Sequence, residues 1–244
     1  MLALDDDDRA QFDRQIRLWG EDGQKRLKAA TVGIVGVGGL GSVAATYLAA
    51  AGVGKLVLVD KDVVEVSNLN RQILHRSPDV GRLKVHSAAE KLRGNYAGID
   101  VATCAEEISE DNAEEVLEGV DAVVDGLDNF PTRFVLNSYV VAHRLPLFHG
   151  AVWGWEGRAT TIIPGQTACL RCLYPEVPAE KETFPVVGVA PGLIGVIQAT
   201  EGIKYFTQTG SLLLNRLLVY DGEAAEFTQV PTERDPRCPV CGDL

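Results

Sequence analysis

The stretch Thr31 to Asp60 (TVGIVGVGGLGSVAATYLAAAGVGKLVLVD) constrains the fold more than any other part of the chain. Thr31 to Val35 is a β-branched and apolar run, the composition of a buried parallel strand. Gly36-Val37-Gly38-Gly39-Leu40-Gly41 follows as a G-x-G-x-x-G turn and leads into an Ala-rich helix former, Ser42 to Ala51. Gly52 ends that helix, and Lys55 to Val59 reads as a second buried strand ending on Asp60. Glycines in such a unit permit a tight turn and let backbone N–H groups approach a phosphate at the positive end of the helix. Asp60 falls about two dozen positions after Gly36, where a carboxylate accepts from a ribose hydroxyl. The stretch is predicted to be a nucleotide-binding βαβ unit. Residues 29–54 carry no charge and are long enough for a membrane span, but seven glycines, Thr31, Ser42 and Thr46 argue against one. A G-x-G-x-x-G turn most often holds NAD or FAD, and the fingerprint alone does not exclude either.

The remaining composition narrows the class. At 244 residues, 46% of them apolar or aromatic, the chain can bury a sizeable core as one large domain or one domain with a long appendage. A net charge of −11 argues against nucleic-acid binding, which needs a basic footprint. A local cationic cluster can still hold a nucleotide, and such acidity neither requires nor excludes a salty habitat. Asp5 to Asp8 places charge where a secretory leader needs apolar residues, and five cysteines fit a reducing cytoplasm better than a disulfide framework.

Residues 1–13 are expected to be a solvated arm. Phe12 to Arg17 leads into a helix, and Glu21 to Ala30 forms a second amphipathic one. Beyond Asp60, the run Asn68-Leu69-Asn70-Arg71-Gln72 lies in a polar loop past a strand's carboxyl end, where doubly wound sheets bind ligands. Lys84 then stands near the start of a helix through Val85 to Gly94, the end cations disfavour. A helix start facing an anionic ligand would explain it, and so would a plain surface lysine. Ile99 to Ala105 is predicted as a strand, Asp111 to Leu117 as a helix, and Ala122 to Asp125 as a buried strand. Asp128 again sits at a strand's carboxyl end. A carboxylate there suits a Mg²⁺ ion on triphosphate oxygens, or alternatively the N-cap of a helix over Thr132 to His143. Leu147 to Val152 is a further strand.

The second half changes character. Ala159 to Ile163, Leu217 to Tyr220 and Glu226 to Val230 read as antiparallel strands, and Pro191 to Thr207 as a long apolar helix. Pro175 to Pro185 is proline-rich, charged and not expected to hold regular structure. Cys169-Leu170-Arg171-Cys172 and Cys238-Pro239-Val240-Cys241 are both C-x-x-C, using four of the five cysteines. One such pair can be redox-active, but two pairs far apart in sequence favour a closed tetrathiolate zinc site.

In combination these pieces resemble the MoeB/ThiF/HesA family, relatives of the ubiquitin-activating enzymes, from Phe12 to Cys241. The matching stretches are Arg14-Gln15-Ile16, the Gly36, Gly38, Gly39, Gly41 turn, Asp60, Asn68 to Gln72, Val80-Gly81 with Lys84, and Asp128-Asn129 with Arg133. Gly195, Gln198, Glu201 and both C-x-x-C knuckles complete them. The resemblance implies an α/β fold, a Rossmann-like mainly parallel sheet continued by antiparallel strands and a zinc-pinned C-terminal tail. The expected division is an N-terminal helical arm (1–30), an ATP-binding half (31–152) and a carrier-binding half (153–244). The implied activity is ATP-dependent adenylation of the C-terminal Gly-Gly carboxylate of a ubiquitin-like sulfur-carrier protein, releasing pyrophosphate.

By the same resemblance, Asp60 would hold the ribose, while Asn68, Arg71 and Lys84 grip the triphosphate beside Gln72 and Asn129. Arg14 would reach the phosphates from the partner of a homodimer, and Asp128 would bind Mg²⁺ or orient the reacting groups. Many members carry a cysteine in the loop before the long helix, and Pro175 to Pro185 has none. An adenylation-only enzyme with a separate sulfur donor is therefore expected, with that loop clamping the carrier's tail and no room for a rhodanese domain. The alternatives are an adenylating enzyme of this fold acting on another carboxylate or a tRNA nucleoside, an NAD oxidoreductase, and a non-catalytic scaffold.

Overall fold

The structure is a computed structural model, and it describes residues 3–177 and 185–244. Its helices are α1 (Asp6–Ala29), α2 (Gly41–Ala51), α3 (Lys84–Asn95), α4 (Ala113–Val116), α5 (Phe130–Ala142), α6 (Leu170–Leu173) and α7 (Val189–Thr207). The strands are β1 (Thr31–Val35), β2 (Lys55–Val59), β3 (Asp100–Cys104), β4 (Ala122–Asp125), β5 (Leu147–Trp153), β6 (Glu156–Ile162), β7 (Arg216–Asp221) and β8 (Glu226–Pro231). All eight form one sheet in the order β3-β2-β1-β4-β5-β6-β7-β8. The first five pair in parallel, and β5 through β8 pair antiparallel.

Near-continuous apolar strands are what a sheet covered on both faces requires. Val32, Ile34, Leu56, Leu58 and Val124 point into one core, beneath residues of α1, α2, α3 and α7. Val35, Val57, Val59 and Val123, alternate residues on the same strands, point into the opposite core with α4, α5 and α6. Strand order reverses between β1 and β4. Their carboxyl ends therefore diverge into a crevice, the place where ligands bind in open α/β sheets.

The N-terminal arm differs from expectation. Residues 3–13 are not a solvated tail: Leu4 is buried, and α1 begins at Asp6 on a reciprocal cap in which Asp5 and Asp8 each accept the other's backbone N–H. The acidic run is helical because carboxylates favour the positive helix start. Gly20, at φ +73°, kinks α1 into the two expected segments. The second is fastened where α2 ends: Gln24, fully buried, and Gln15 both donate to the Ala51 carbonyl, at 2.9 and 2.7 Å. Arg26 closes the far end of α7 by donating to the Phe206 and Thr207 carbonyls. Smaller shifts occur elsewhere. α4 is shorter than the predicted Asp111 to Leu117 and is preceded by Asn112, and α5 starts two residues earlier than predicted, at Phe130. Of the expected irregular loop, 178–184 lies outside the described residues, while Val186 returns to bridge Gly154.

Candidate active site

Three glycines of the β1–α2 turn are held by three different constraints. Gly36 has φ +90°, and a Cβ there would lie 2.6 Å from the Gly126 backbone at the end of β4. At Gly41 a Cβ would lie 1.8 Å from the Gly36 carbonyl, so helix and strand can pack this closely only without one. Gly38 is unlike both, because a Cβ would meet nothing nearer than Gln72 Nε2 at 3.7 Å. Its openness faces a cavity of about 750 Å³. α2 carries no side-chain cap and no acidic residue in its first turn, which leaves its positive end to the cavity.

Asp60, just past β2, reaches back to this turn: Oδ2 accepts from Val37 N–H at 2.8 Å and Oδ1 from Asp62 N–H at 2.9 Å. Burial pushes its carboxyl above the usual range, and Lys84 opposes the shift. Lys84 is the first residue of α3, 6% exposed, with Nζ 2.8 Å from Asp62. Arg71 donates to the Ser67 carbonyl and the Asn70 side chain, both at 2.9 Å, and its neighbour Gln72 is buried with Oε1 unpartnered. Both cations line the cavity with Gly36, Gly38, Gly39 and Asp60.

On the other wall, Asp128 and Asn129 divide the two roles foreseen for Asp128. Asn129 is the N-cap of α5, its Oδ1 accepting from Thr132 N–H at 2.9 Å. Asp128 is exposed in the cavity wall and hydrogen-bonds to no described residue, so its carboxylate is left for a ligand. Three candidates lie elsewhere. Asn68 is buried, its Oδ1 accepting from Glu65 N–H at 3.0 Å to shape the loop before Arg71, and it lies outside the cavity lining. Gly41 is packed behind the turn. Arg14 is exposed on α1, also outside the lining of its own chain.

Beyond Asp128 the cavity is also lined by Ala151, Val152 and Trp153 of β5, Glu156 and Arg158 of β6, and Tyr174. Sequence reasoning missed this far half, whose residues meet only because β5 and β6 fold back through the turn at Gly154. It also missed Asp62, the partner of Lys84, although both flank strand and helix ends that the pattern had located. Beneath the floor lies a buried charged group. Asp125 is fully buried at the end of β4; its Oδ2 accepts from His149 Nδ1 at 2.6 Å and lies 3.4 Å from Arg133 Nε. Burial alone would raise the Asp125 carboxyl, but Arg133 and His149 hold it below the usual range, while burial pushes the His149 imidazole down. A neutral ring donating from Nδ1 to a carboxylate satisfies both.

The four knuckle cysteines converge outside the cavity lining, although Tyr174, two residues after Cys172, belongs to it. Their sulfurs all lie within 4.8 Å of one another, with Cys169–Cys238 at 3.7 Å, Cys172–Cys241 at 3.4 Å and Cys169–Cys172 at 3.9 Å. A tetrahedral zinc with Zn–S bonds of about 2.3 Å needs sulfur–sulfur edges of about 3.8 Å. The backbone N–H of Asp235 points at Cys172 Sγ, as donors do around zinc thiolates. Burial and the adjoining sulfurs push the Cys241 thiol far up, so four thiolates at this spacing require a cation. The donor set fits zinc.

Residues 12–240 match the ThiF family. The chain is 46% identical over 250 residues to the SAMP-activating enzyme E1 of Haloferax volcanii, covering 99% of this chain and 92% of that protein. It is 40% identical over 237 residues to the sulfur carrier protein adenylyltransferase of Thermus thermophilus, covering 92% and 86%. Among solved structures, E. coli MccB with MccA-N7isoASN shares the fold with a TM-score of 0.87, over 96% of this chain and 74% of that one, at 24% identity. The chain belongs to the ThiF family, and it is an adenylyltransferase. Among the described residues no helix is long and apolar enough to cross a membrane.

Proposed function

We propose that this chain activates the C-terminal Gly-Gly carboxylate of a ubiquitin-like sulfur-carrier protein with ATP. One observation carries the reading: a single cavity runs from the Gly36–Gly39 cradle and Asp60, past Arg71, Lys84 and Asp128, to the β5–β6 wall at Trp153 and Arg158. A nucleotide fills the first part, and an extended peptide tail the second. The names of the Haloferax and Thermus relatives, a SAMP-activating enzyme and a sulfur carrier protein adenylyltransferase, support it.

In this reaction a terminal carboxylate oxygen attacks the α-phosphorus. A mixed acyl–phosphate anhydride forms as the bond from that phosphorus to the pyrophosphate oxygen breaks. Attack is anion on anion, so the site must aim fixed cations at the developing charge. Backbone N–H groups of the glycine turn and the α2 terminus cradle phosphate, and Asp60, hydrogen-bonded to Val37 and Asp62, offers its remaining lone pairs to the ribose. Arg71 and Lys84 hold the triphosphate, with Lys84 already orientated by Asp62. Gln72 lines the cavity beside Arg71 and Asn129 lines it beside Asp128, and Asn68 contributes by shaping the loop that presents Arg71. Mg²⁺ held by Asp128 would supply further neutralisation of the phosphate oxygens.

Arg14, exposed on its own chain, enters the site of the other protomer in a homodimer. Residues 31–152 form the nucleotide half of a single adenylation domain, 1–30 its helical arm and 153–244 the carrier-facing half that zinc pins. Burial raises the Cys104 thiol, and Cys104 lies outside the cavity lining. The other four cysteines converge on one another as a set that would hold zinc, which leaves the acyl-adenylate to a separate sulfur donor. The enzyme works in the cytoplasm, feeding a pathway such as molybdopterin or thiamin synthesis, without nucleic acid or membrane as partner.

The test is ATP–pyrophosphate exchange with Mg²⁺ and purified ubiquitin-like proteins ending in Gly-Gly, each beside a version lacking the last glycine. Exchange that needs both that glycine and Asp128, as shown by loss in Asp128→Ala, is the expected result. ATP binding without exchange for any carrier would overturn the reading.

A further inference from the structure

We infer that Arg133 is a positioning residue, which sets Asp128 against the substrate's tail by bridging the two walls of the reaction centre. The inference rests on the adenylation reading above. Arg133 stands in the first turn of α5 and is 5% exposed. Its Nη2 donates both to the Leu127 carbonyl and, at 3.0 Å, to the Gly150 carbonyl of β5. Leu127 is therefore held at both ends of its backbone, because Asp125 Oδ1 accepts its N–H at 3.0 Å.

Asp128 follows directly and has no hydrogen bond of its own to a described residue. Its position is fixed by what flanks it: Leu127 clamped on one side, and Asn129 committed to the α5 cap on the other. Gly150 directly precedes Ala151, Val152 and Trp153, the strand segment that lines the tail half of the cavity. One planar guanidinium thus fixes the distance between the wall carrying Asp128 and the wall carrying the tail.

The rest of the buried group serves this cation. A guanidinium turned towards two carbonyls has no counter-charge from them, so it needs Asp125, 3.4 Å from Nε. His149 donates to the same carboxylate and holds it in place. A purely structural ion pair would turn the guanidinium's paired donors onto the carboxylate. Here Nη2 alone donates to two backbone carbonyls, one in the β4–α5 loop and one on β5, while Nε lies near the carboxylate without a hydrogen bond.

Arg133→Lys keeps the charge but not the planar reach. In carrier-dependent ATP–pyrophosphate exchange, kcat is expected to fall about 100-fold while KM for ATP stays within about threefold. The half-saturating Mg²⁺ concentration should rise. In an Asp128→Asn background the same substitution should change kcat by less than about threefold, because a residue acting through Asp128 has nothing left to position. Equal losses in both backgrounds, or KM rising in step with the fall in kcat, would overturn the inference in favour of a merely structural role. If Asp128→Asn leaves no measurable exchange, the Mg²⁺ half-saturation decides, and an unchanged value overturns the inference. If Arg133→Lys does not fold, Asp125→Asn is read in its place, with the same pattern expected. Should the wild type bind ATP yet show no carrier-dependent exchange, the adenylation reading itself has failed; if the wild type exchanges and Arg133→Lys keeps its kcat and Mg²⁺ half-saturation, only this inference has.

Discussion

Lys84 shows how much a single position can say. A cation at a helix start is electrostatically misplaced, which is legible in the sequence, and two explanations fit it. The structure adds what spacing could not, a carboxylate 2.8 Å away on Asp62 and a place in the cavity wall beside Asp60. Asp128 and Asn129 were similarly ambiguous, since both residue types cap helices and only the backbone angle at Asn129 decides which one does. His75 carried no signal at all. It is 5% exposed, with Nδ1 2.9 Å from Ser87 Oγ and the Val37 backbone of the glycine turn close by. Burial, opposed by a hydrogen bond with the Val37 backbone and by Asp79 and reinforced by Lys91 and Lys84, pushes its imidazole down to about 4 from the ordinary 6.5. Between those values the unfolded chain binds a proton that the folded chain refuses, so stability falls as pH falls. About 2 kcal/mol should be lost between pH 7 and pH 5. Urea unfolding at the two pH values should show it in the wild type, and His75→Gln should remove most of the difference. An equal pH dependence in the variant would assign the effect to other groups.

At the scale of the element, the βαβ unit was readable because each of its determinants is local. Strand composition, glycine spacing and the Gly52 stop, at φ +93°, all act within a few residues. What was misread depended on competition between local signals: four aspartates in a row suggest solvation, yet a reciprocal Asp5–Asp8 cap makes them a helix start. The far half of the cavity depended on β5 and β6 pairing through the two-residue turn Gly154-Trp155, a local signal that strand ends set at Val152 and Ala159 left unused. The glycine turn also separates folding from binding. Gly36→Ala should lower Tm, because φ +90° and a 2.6 Å approach to the Gly126 backbone both exclude a Cβ. Gly38→Ala should melt within about 2 °C of the wild type, since the nearest atom leaves it room, yet bind ATP at least about tenfold more weakly, because the methyl group stands where phosphate approaches. Thermal melts with isothermal titration of ATP read the two effects apart. Equal affinity for ATP in Gly38→Ala would show that phosphate does not lie over this turn.

Across the whole molecule, the two C-x-x-C pairs join distant parts of the chain. Cys169 opens α6, whose Leu170 N–H donates to the Asn137 side chain of α5 at 2.9 Å, and Cys238 and Cys241 lie in the tail. The cluster should hold one zinc per chain by elemental analysis. Removing it with a chelator, or Cys241→Ser, should lower Tm by roughly 6–12 °C, corresponding to about 3 kcal/mol in a chain of this size. An unchanged Tm in the metal-free protein would leave the tail held by packing alone.

The same scale bears on Arg14, which is exposed on α1 and outside its own cavity, so that any action on the phosphates must come from another protomer. Arg14→Ala and Asp128→Ala should each be inactive alone in ATP–pyrophosphate exchange. Co-expressed in equal amounts, they assort so that about half of the dimers are mixed. Each mixed dimer has one site with Asp128 from one chain and Arg14 from the other, and one site lacking both. About a quarter of wild-type exchange per site should therefore return. Recovery near that fraction requires a shared active site, whereas no recovery from demonstrably mixed dimers would place Arg14 and Asp128 in the service of the same chain.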